Sequence, residues 1–353
     1  DPARLALLLA GPAAVALASW AYLALMIGDM SAIPGMKAMM MSPQMFSPVQ
    51  FTGLFAMWAI MMAAMMLRRR RPAAMVGFGG YPSFAPMLAA RMAGVPAVLH
   101  EQNAYLGRAN HLLARWCGHL ALSWAGTRNL PAKVTSLISG MPVRAAFLEV
   151  PAMTARADDR IMLTVVGGSL GAAVFATMVP EAIAALDPAM RSRLHVTQQC
   201  RAEQLDELTA RYAAIGVDAE IRAFFDDMPD RLAASHLVIS RAGASSVAEL
   251  AAAGRPAILI PFAGAMDDHQ TENARQLEAA GGGVCLAEAD LDPAALAARM
   301  ADLLSDADRL AEMGHKARGL AAADAADTIA GYALDLAGQA GPETGPDAGP
   351  GSV

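Results

Sequence analysis

The segment Ile161-Met162-Leu163-Thr164-Val165-Val166 runs directly into Gly167-Gly168-Ser169-Leu170-Gly171 and then into an alanine-rich stretch. Apolar and β-branched residues, then glycines, then good helix formers read as strand, turn and helix, which commits this part of the chain to an α/β unit. The glycines let the backbone turn tightly and approach a ligand. Free N–H groups at the start of the helix face the same point, which suits a phosphate. A nucleotide or nucleotide-sugar diphosphate fits such a turn. Simple chain reversal fits it equally, because Gly-Gly-Ser-Leu-Gly is neither Gly-x-Gly-x-x-Gly nor a P-loop.

The same alternation extends from Ala73 onward, with strands expected at 74–76, 97–99, 120–123, 161–166, 194–197, 219–222, 237–240 and 257–260 and helices between them. This is the pattern of helices wrapped on parallel sheets. A chain of 353 residues suggests two domains at roughly 100–200 residues each. Pro142, Pro151 and the charged cluster 156–160 interrupt the periodicity, which predicts a linker over 144–159 between domains at 72–143 and 160–337. Residues 338–353 are too poor in apolar side chains to fold and read as a disordered tail.

Residues 1–71 differ in kind. The stretches 5–27 and 49–67 are nearly unbroken apolar runs, each close to the ~20 residues needed to cross a bilayer. Arg68-Arg69-Arg70-Arg71 follows the second run, and the positive-inside tendency then predicts two spans with everything downstream in the cytoplasm. A cleaved signal peptide is the alternative for the first run. Half of the 24 methionines lie in this region, Met39, Met40 and Met41 among them. Thioethers suit Cu(I), but methionine is also plain apolar filler. The pattern from Met57 to Leu67 resembles a family of predicted metal-binding bacterial integral membrane proteins.

A net charge of −6 gives no drive toward nucleic acid, and no basic stripe with interleaved aromatics occurs. Cys117, Cys200 and Cys285 are odd in number and lack metal-ligand spacing, so they read as reduced small hydrophobes.

Ligands of open α/β sheets bind beyond the carboxyl ends of the strands, and polar residues collect there. Gly77-Phe78-Gly79-Gly80-Tyr81-Pro82-Ser83 follows the first strand and His100-Glu101-Gln102-Asn103 the second. Ser240-Arg241-Ala242-Gly243-Ala244-Ser245-Ser246 follows a later strand and opens a helix that carries Glu249. Glu249 could accept from both hydroxyls of a ribose, or it could close a capping box with Ser246 as N-cap. Asp267 to Asn273 is a polar loop whose amides could read sugar hydroxyls or face only water. Asp290-Leu291-Asp292 precedes Pro293 and reads as a helix start, with Asp292 as N-cap and proline at N1, and not as a metal clamp.

Taken in order, the Gly77 to Ser83 turn, His100 to Ala104 with Gly107 to Asn110, Gly167 to Gly171, Phe225-Asp226-Asp227-Met228, Ser240 to Glu249 and Asp268 to Asn273 resemble the MurG-type glycosyltransferases of peptidoglycan synthesis. The resemblance covers about 73–335. It implies a GT-B fold, two Rossmann-like domains with the active site between them, and an inverting transfer of N-acetylglucosamine from UDP-N-acetylglucosamine to undecaprenyl-diphosphate-linked muramyl-pentapeptide. It implies no metal or other cofactor, and work at the cytoplasmic face of the bacterial inner membrane. Residue by residue it implies that Asn103 contacts the sugar, that Arg144 lies near the donor and that Gly168 and Ser169 bind its diphosphate. Phe225 would lie against the uracil, Ala244, Ser245 and Ser246 would hold phosphate, Glu249 would bind the ribose, and His269 or Gln270 would read the sugar hydroxyls. Gly77, Gly79, Gly80 and Tyr81 would face the acceptor diphosphate, and His100 and Glu101 are the acid–base candidates.

The family's opening Gly-Thr-Gly-Gly-His turn is not evident before Ala73, so the N-terminal domain is expected to be incomplete, with two membrane helices in front of it. Thr197-Gln198-Gln199-Cys200 stands where the family more often has a His-Gln pair. Other readings are a membrane-tethered nucleotide-sugar-binding protein without catalysis, a metal-handling membrane protein, and a transferase acting on a diacylglycerol acceptor.

Overall fold

The computed structural model describes residues 72–154, 159–168, 173–265 and 268–339. Both apolar runs of the N-terminal region, Ser169 and residues 340–353 lie outside the described residues, while Gly338 and Gln339 of the expected tail are helical. Among those described, no helix is long and apolar enough to cross a membrane.

The first layered unit is built from β1 (Met75–Gly77), α1 (Gly80–Met92), β2 (Ala97–Glu101), α2 (Arg108–Cys117), β3 (His119–Leu122) and β4 (Thr135–Ile138). Its strands are parallel and lie in chain order, β1-β2-β3-β4. All five residues of β2 are buried, as expected of a parallel strand covered on both faces. On one face Leu99 packs with Met87 of α1 and Leu113 of α2.

A short helix, α3 (Ala145–Leu148), interrupts the crossing to the second unit. There β5 (Ile161–Val166), α4 (Phe175–Ala184), α5 (Pro188–Arg191), β6 (Leu194–Gln199), α6 (Leu205–Ala214), β7 (Asp218–Arg222), α7 (Met228–Ala234), β8 (Leu237–Ser240), α8 (Ala244–Ala253), β9 (Ala257–Leu259), α9 (His269–Ala279) and β10 (Gly283–Cys285) follow. The six parallel strands are ordered β10-β9-β8-β5-β6-β7. This is the doubly wound order of a dinucleotide-type sheet, which reverses between β5 and β8 and so opens a crevice at their carboxyl ends. Ile161, Leu163 and Val165 of β5 form the centre of the core with Phe175 and Val179 of α4. Truncating one such buried aliphatic side chain to alanine typically costs about 2–5 kcal/mol.

Helices α10 (Pro293–Leu304) and α11 (Ala307–Arg318) cover the sheet. The start of α10 is as the sequence predicts: Pro293 is its first residue and the Asp292 side chain accepts from the Ala295 N–H at 2.7 Å. Then α12 (Ala325–Gln339) returns to the first unit, where Ile329, Ala333 and Leu336 cover Val98 and Ala121.

The eight expected strands are all present. The two others, β4 and β10, are edge strands of four and three residues. Every residue of β4 is exposed, Leu137 and Ile138 included, so it lacks the buried apolar run of the expected strands.

Candidate active site between the two sheets

Both glycine-rich turns of the second unit flank the reversal of strand order. Gly168, just past β5, has φ +75, and a Cβ there would meet nothing within 4 Å. Backbone conformation, not crowding, therefore asks for glycine at this point. Past β8, Gly243 is the N-cap of α8 and makes no side-chain capping bond. The helix thus starts at Ala244, two residues before Ser246, and the Ser246–Glu249 capping box is not formed. Ala244, Ser245 and Ser246 become its first turn, whose N–H groups are open to an anion beyond the sheet.

One turn further on, Glu249 stands half-buried with its Oε1 4.0 Å from Nη2 of Arg144. Burial pushes its carboxyl above the ordinary range, and Arg144 opposes the shift. Arg144 caps α3 and lays its guanidinium 4.8 Å from the Phe147 ring.

The first unit supplies the facing wall. Gly79 and Gly80 have φ +78 and +70, and Tyr81 falls in the first turn of α1. Gly77 is buried, and a Cβ there would press on the Met87 sulfur at 2.6 Å. Gln102 ties this turn to the end of β2: its Nε2 donates to Phe78 O at 2.7 Å and approaches His100 Nδ1 at 3.3 Å. His100 is fully buried. Its Nε2 lies 3.0 Å from Gly140 O, so the neutral tautomer with the proton on Nε2 satisfies both ring nitrogens. Desolvation lowers its pKa, against the Gly140 bond and the Glu101 charge.

Glu101 accepts four hydrogen bonds. Oε1 takes Asn103 N at 3.0 Å and Asn103 Nδ2 at 3.1 Å; Oε2 takes Gly107 N at 3.0 Å and Asn110 Nδ2 at 2.9 Å. A carboxylate has about four acceptor positions, and all are used within the fold. Both His100 and Glu101, the acid–base candidates of the sequence, thus spend their hydrogen bonds within the fold, on Gly140 and on the 102–110 segment.

That loop presents Asn103 to the second unit. Asn273 of α9, fully buried, donates from Nδ2 to Asn103 Oδ1 at 3.1 Å and to Ala242 O at 3.1 Å, and its Oδ1 accepts from Ala104 N at 2.8 Å. One amide therefore joins the loop after β2, the turn after β8 and the first turns of α9. Asn273 belongs to the Asp268–Asn273 stretch, but polarity alone did not mark it. Its helical spacing from His269 and Gln270 is the signal that could have. His269 and Gln270 are half-buried at the start of α9, and Gln270 Oε1 accepts from Phe262 N at 3.0 Å.

Phe225 does not offer itself to a base. It is 4 % exposed and carries the guanidinium groups of Arg222 and Arg231 at 5.6 and 5.2 Å from its ring centre, whereas Phe224 beside it is 68 % exposed. Arg241, in the turn after β8, is 9 % exposed and bound to Glu288 at 2.7 Å.

The pattern of the glycosyltransferase family 28 C-terminal domain matches residues 162–329, and that of the family's N-terminal domain matches residues 29–121. The match thus opens well ahead of Ala73 and takes in the second apolar run, so a segment unrelated to the family over the whole of 1–71 is not supported. The UDP-N-acetylglucosamine–N-acetylmuramyl-(pentapeptide) pyrophosphoryl-undecaprenol N-acetylglucosamine transferase of Rhodospirillum rubrum is 49% identical over 286 residues, covering 80% of this chain and 73% of the relative. That of Granulibacter bethesdensis is 48% identical over 279 residues, 76% of this chain and 73% of its own. The crystal structure of Acinetobacter baumannii MurG aligns with a TM-score of 0.66 at 30% identity, over 81% of this chain and 79% of that one. An α,α-trehalose-phosphate synthase (UDP-forming) from Burkholderia vietnamiensis, at 12% identity and a TM-score of 0.57, shares the fold alone, over 83% of this chain and 78% of its own. With two units packed on one cleft and relatives of this identity and coverage, the chain is a two-domain GT-B glycosyltransferase and belongs to the family of UDP-N-acetylglucosamine–N-acetylmuramyl-(pentapeptide) pyrophosphoryl-undecaprenol N-acetylglucosamine transferases.

Proposed function

We propose that this chain transfers N-acetylglucosamine from UDP-N-acetylglucosamine to undecaprenyl-diphosphate-linked N-acetylmuramyl-pentapeptide in the cleft between the two sheets. The observation that carries the reading is the meeting of Asn103 and Asn273 across that cleft, beside the open first turn of α8 and the half-buried Glu249. The turn at Gly168 and Ser169 and the N–H groups of Ala244 to Ser246 take the donor diphosphate, and Glu249 takes the ribose. Phe224 offers the exposed aromatic surface for the uracil. Asn103, His269 and Gln270 face the sugar, and Arg144 neutralises charge at the Glu249 side. The Gly77 to Tyr81 turn takes the acceptor diphosphate.

The acceptor's hydroxyl attacks the anomeric carbon as its proton passes to solvent water in the cleft, the bond to the UDP oxygen breaks with inversion, and the charge on the departing diphosphate is spread over helix N–H donors. These donors do the work a metal would otherwise do. His100 and Glu101 hold the Asn103 loop in place for this step. A lipid acceptor puts the chain at the cytoplasmic face of a bacterial inner membrane, with 5–27 and 49–67 as the segments in contact with it.

The full chain, purified in detergent, should move labelled N-acetylglucosamine onto a prenyl-diphosphate muramyl-peptide, and should do so equally in EDTA. Binding of UDP-N-acetylglucosamine with no transfer would favour the second reading, a nucleotide-sugar-binding protein without turnover. The internal saturation of His100 and Glu101 is the observation on its side. Loss of transfer in EDTA, restored by a divalent cation, would overturn metal independence.

A further inference from the structure

We propose that Glu288, which lies on no glycine turn and follows no strand of the site, is a positioning residue for the donor sugar. It acts through the turn after β9. The inference rests on the donor-site reading above and extends it to the residue that holds the site's outer wall.

Three independent restraints meet on residues 260–265. Arg241 Nη1 donates to Ile260 O and Pro261 O, each at 3.2 Å, while its Nη2 donates to Glu288 Oε1 at 2.7 Å. Glu288 Oε2 accepts from Ala263 N at 2.8 Å. Gln270 Oε1 accepts from Phe262 N at 3.0 Å. Glu288 is thus the one side chain that holds both the arginine under the turn and the N–H at its tip. Arg241 lies between two rings, 5.1 Å from the centre of Phe175 and 5.3 Å from that of Phe262, so it too is locked once Glu288 fixes its far nitrogen. Gly264 lets the Phe262 ring fold back, since a Cβ there would come within 2.8 Å of that ring.

The consequence lies at Gln270. With its oxygen taken by the Phe262 N–H, its amide NH2 is left to point away from the turn as a donor. If the turn relaxes, Phe262 N moves, and the amide loses the partner that sets which end faces the ligand. Glu288 acts at two removes from the sugar, through the turn whose Phe262 N–H donates to Gln270.

Glu288→Gln removes the negative charge that Arg241 faces and leaves one oxygen to serve two donors. A charge-assisted bond in a half-buried setting corresponds to roughly tenfold or more in an equilibrium. The measurements are steady-state transfer by the full chain, with donor and acceptor varied in turn, and calorimetric titration with UDP and with UDP-N-acetylglucosamine. Expected is a KM for UDP-N-acetylglucosamine raised about tenfold, an unchanged acceptor KM, and UDP affinity within about twofold of wild type. Gly264→Ala, which leaves the ion pair intact and disturbs the exposed turn directly, should give the same split. An unchanged donor KM in both variants overturns the proposal while the wild-type reaction stands. An equal loss of UDP and UDP-N-acetylglucosamine affinity, together with a lowered melting temperature, overturns it by reducing Glu288 to a support of the fold. If the wild-type chain binds no UDP-sugar, the functional reading falls and this inference with it.

Discussion

Asn273 donates to Asn103 at 3.1 Å across 170 residues of chain and across the cleft, and with the same side chain it satisfies the N–H of Ala104. Because two of the three bonds of this amide are buried and the third is part-buried, the two units are not free to slide on one another without leaving polar groups unpaired. The exposed ion pair of Arg128 with Glu272, also across the cleft, adds at most about 1 kcal/mol.

Asn273→Ala orphans the Ala104 N–H and removes two donors, at about 1–3 kcal/mol for each buried group left unmade. A melting temperature lower by roughly 5–10 °C is expected for a chain of this size, with kcat/KM reduced at least tenfold. Asn273→Asp should be worse than alanine in transfer, since it offers no donor to Asn103 and places a charge there. Thermal denaturation and labelled transfer measure the two effects.

Glu249 sets a pH dependence. Its carboxyl is raised by burial, so the folded state holds the proton more tightly than the unfolded one, and the group's contribution to stability falls as pH rises from the ordinary carboxylate value through the raised one. A carboxylate that accepts from ribose must be ionised, so UDP affinity should weaken as pH drops through that raised value. Glu249→Gln abolishes this limb. Arg144→Ala removes the opposing charge and should move it to higher pH, as titration calorimetry from pH 5 to 8 would show.

His100 behaves in the opposite sense. Its pKa is lowered by burial, so the unfolded chain takes up the proton first, and stability is present above the ordinary histidine range and lost as pH falls below about 6.5. Urea unfolding at pH 7.5 and 5.5 should show this difference in the wild type and a smaller one in His100→Gln. If His100 were also the base, the glutamine variant would lose transfer as well as this dependence.

Gly140 lies where the chain leaves the first unit, and Ala322 where it returns. With φ +74, Gly140 has no room for a Cβ, which would run into the Ala322 methyl. Gly140→Ala should lower kcat more than it lowers stability, by forcing the two crossings apart. Ala322→Gly in the same chain removes the collision but not the backbone strain, which is of order 1–2 kcal/mol. Partial recovery of transfer in the double variant checks this.

Much of this was legible because the apolar strands of parallel sheets are continuous runs, and β2, β5 and β8 are such runs. The polar residues after them stood out against that background. What stayed hidden was partnership. Glu101 reads as a catalytic carboxylate until Asn103, Gly107 and Asn110 are seen to fill it. Phe225 reads as an aromatic platform until Arg222 and Arg231 are seen on it. Asn273, Arg241 and Glu288 owe their roles to neighbours 20 to 170 residues away, and no local pattern records such distances. β4, exposed at every residue, and β10, a glycine-led run of three residues, were too weak an apolar signal to stand out.

The return of α12 to the first sheet has a bearing on synthesis. Val98 and Ala121 are covered by Ile329, Ala333 and Leu336, so the half of the enzyme made first lacks one side of its core until α12 clears the ribosome. The half made second holds its central core in α4, α6, α10 and α11 and can close earlier. The order of folding therefore runs against the order of translation, and a nascent chain stopped before Ala325 would display an uncovered sheet to whatever chaperone attends it.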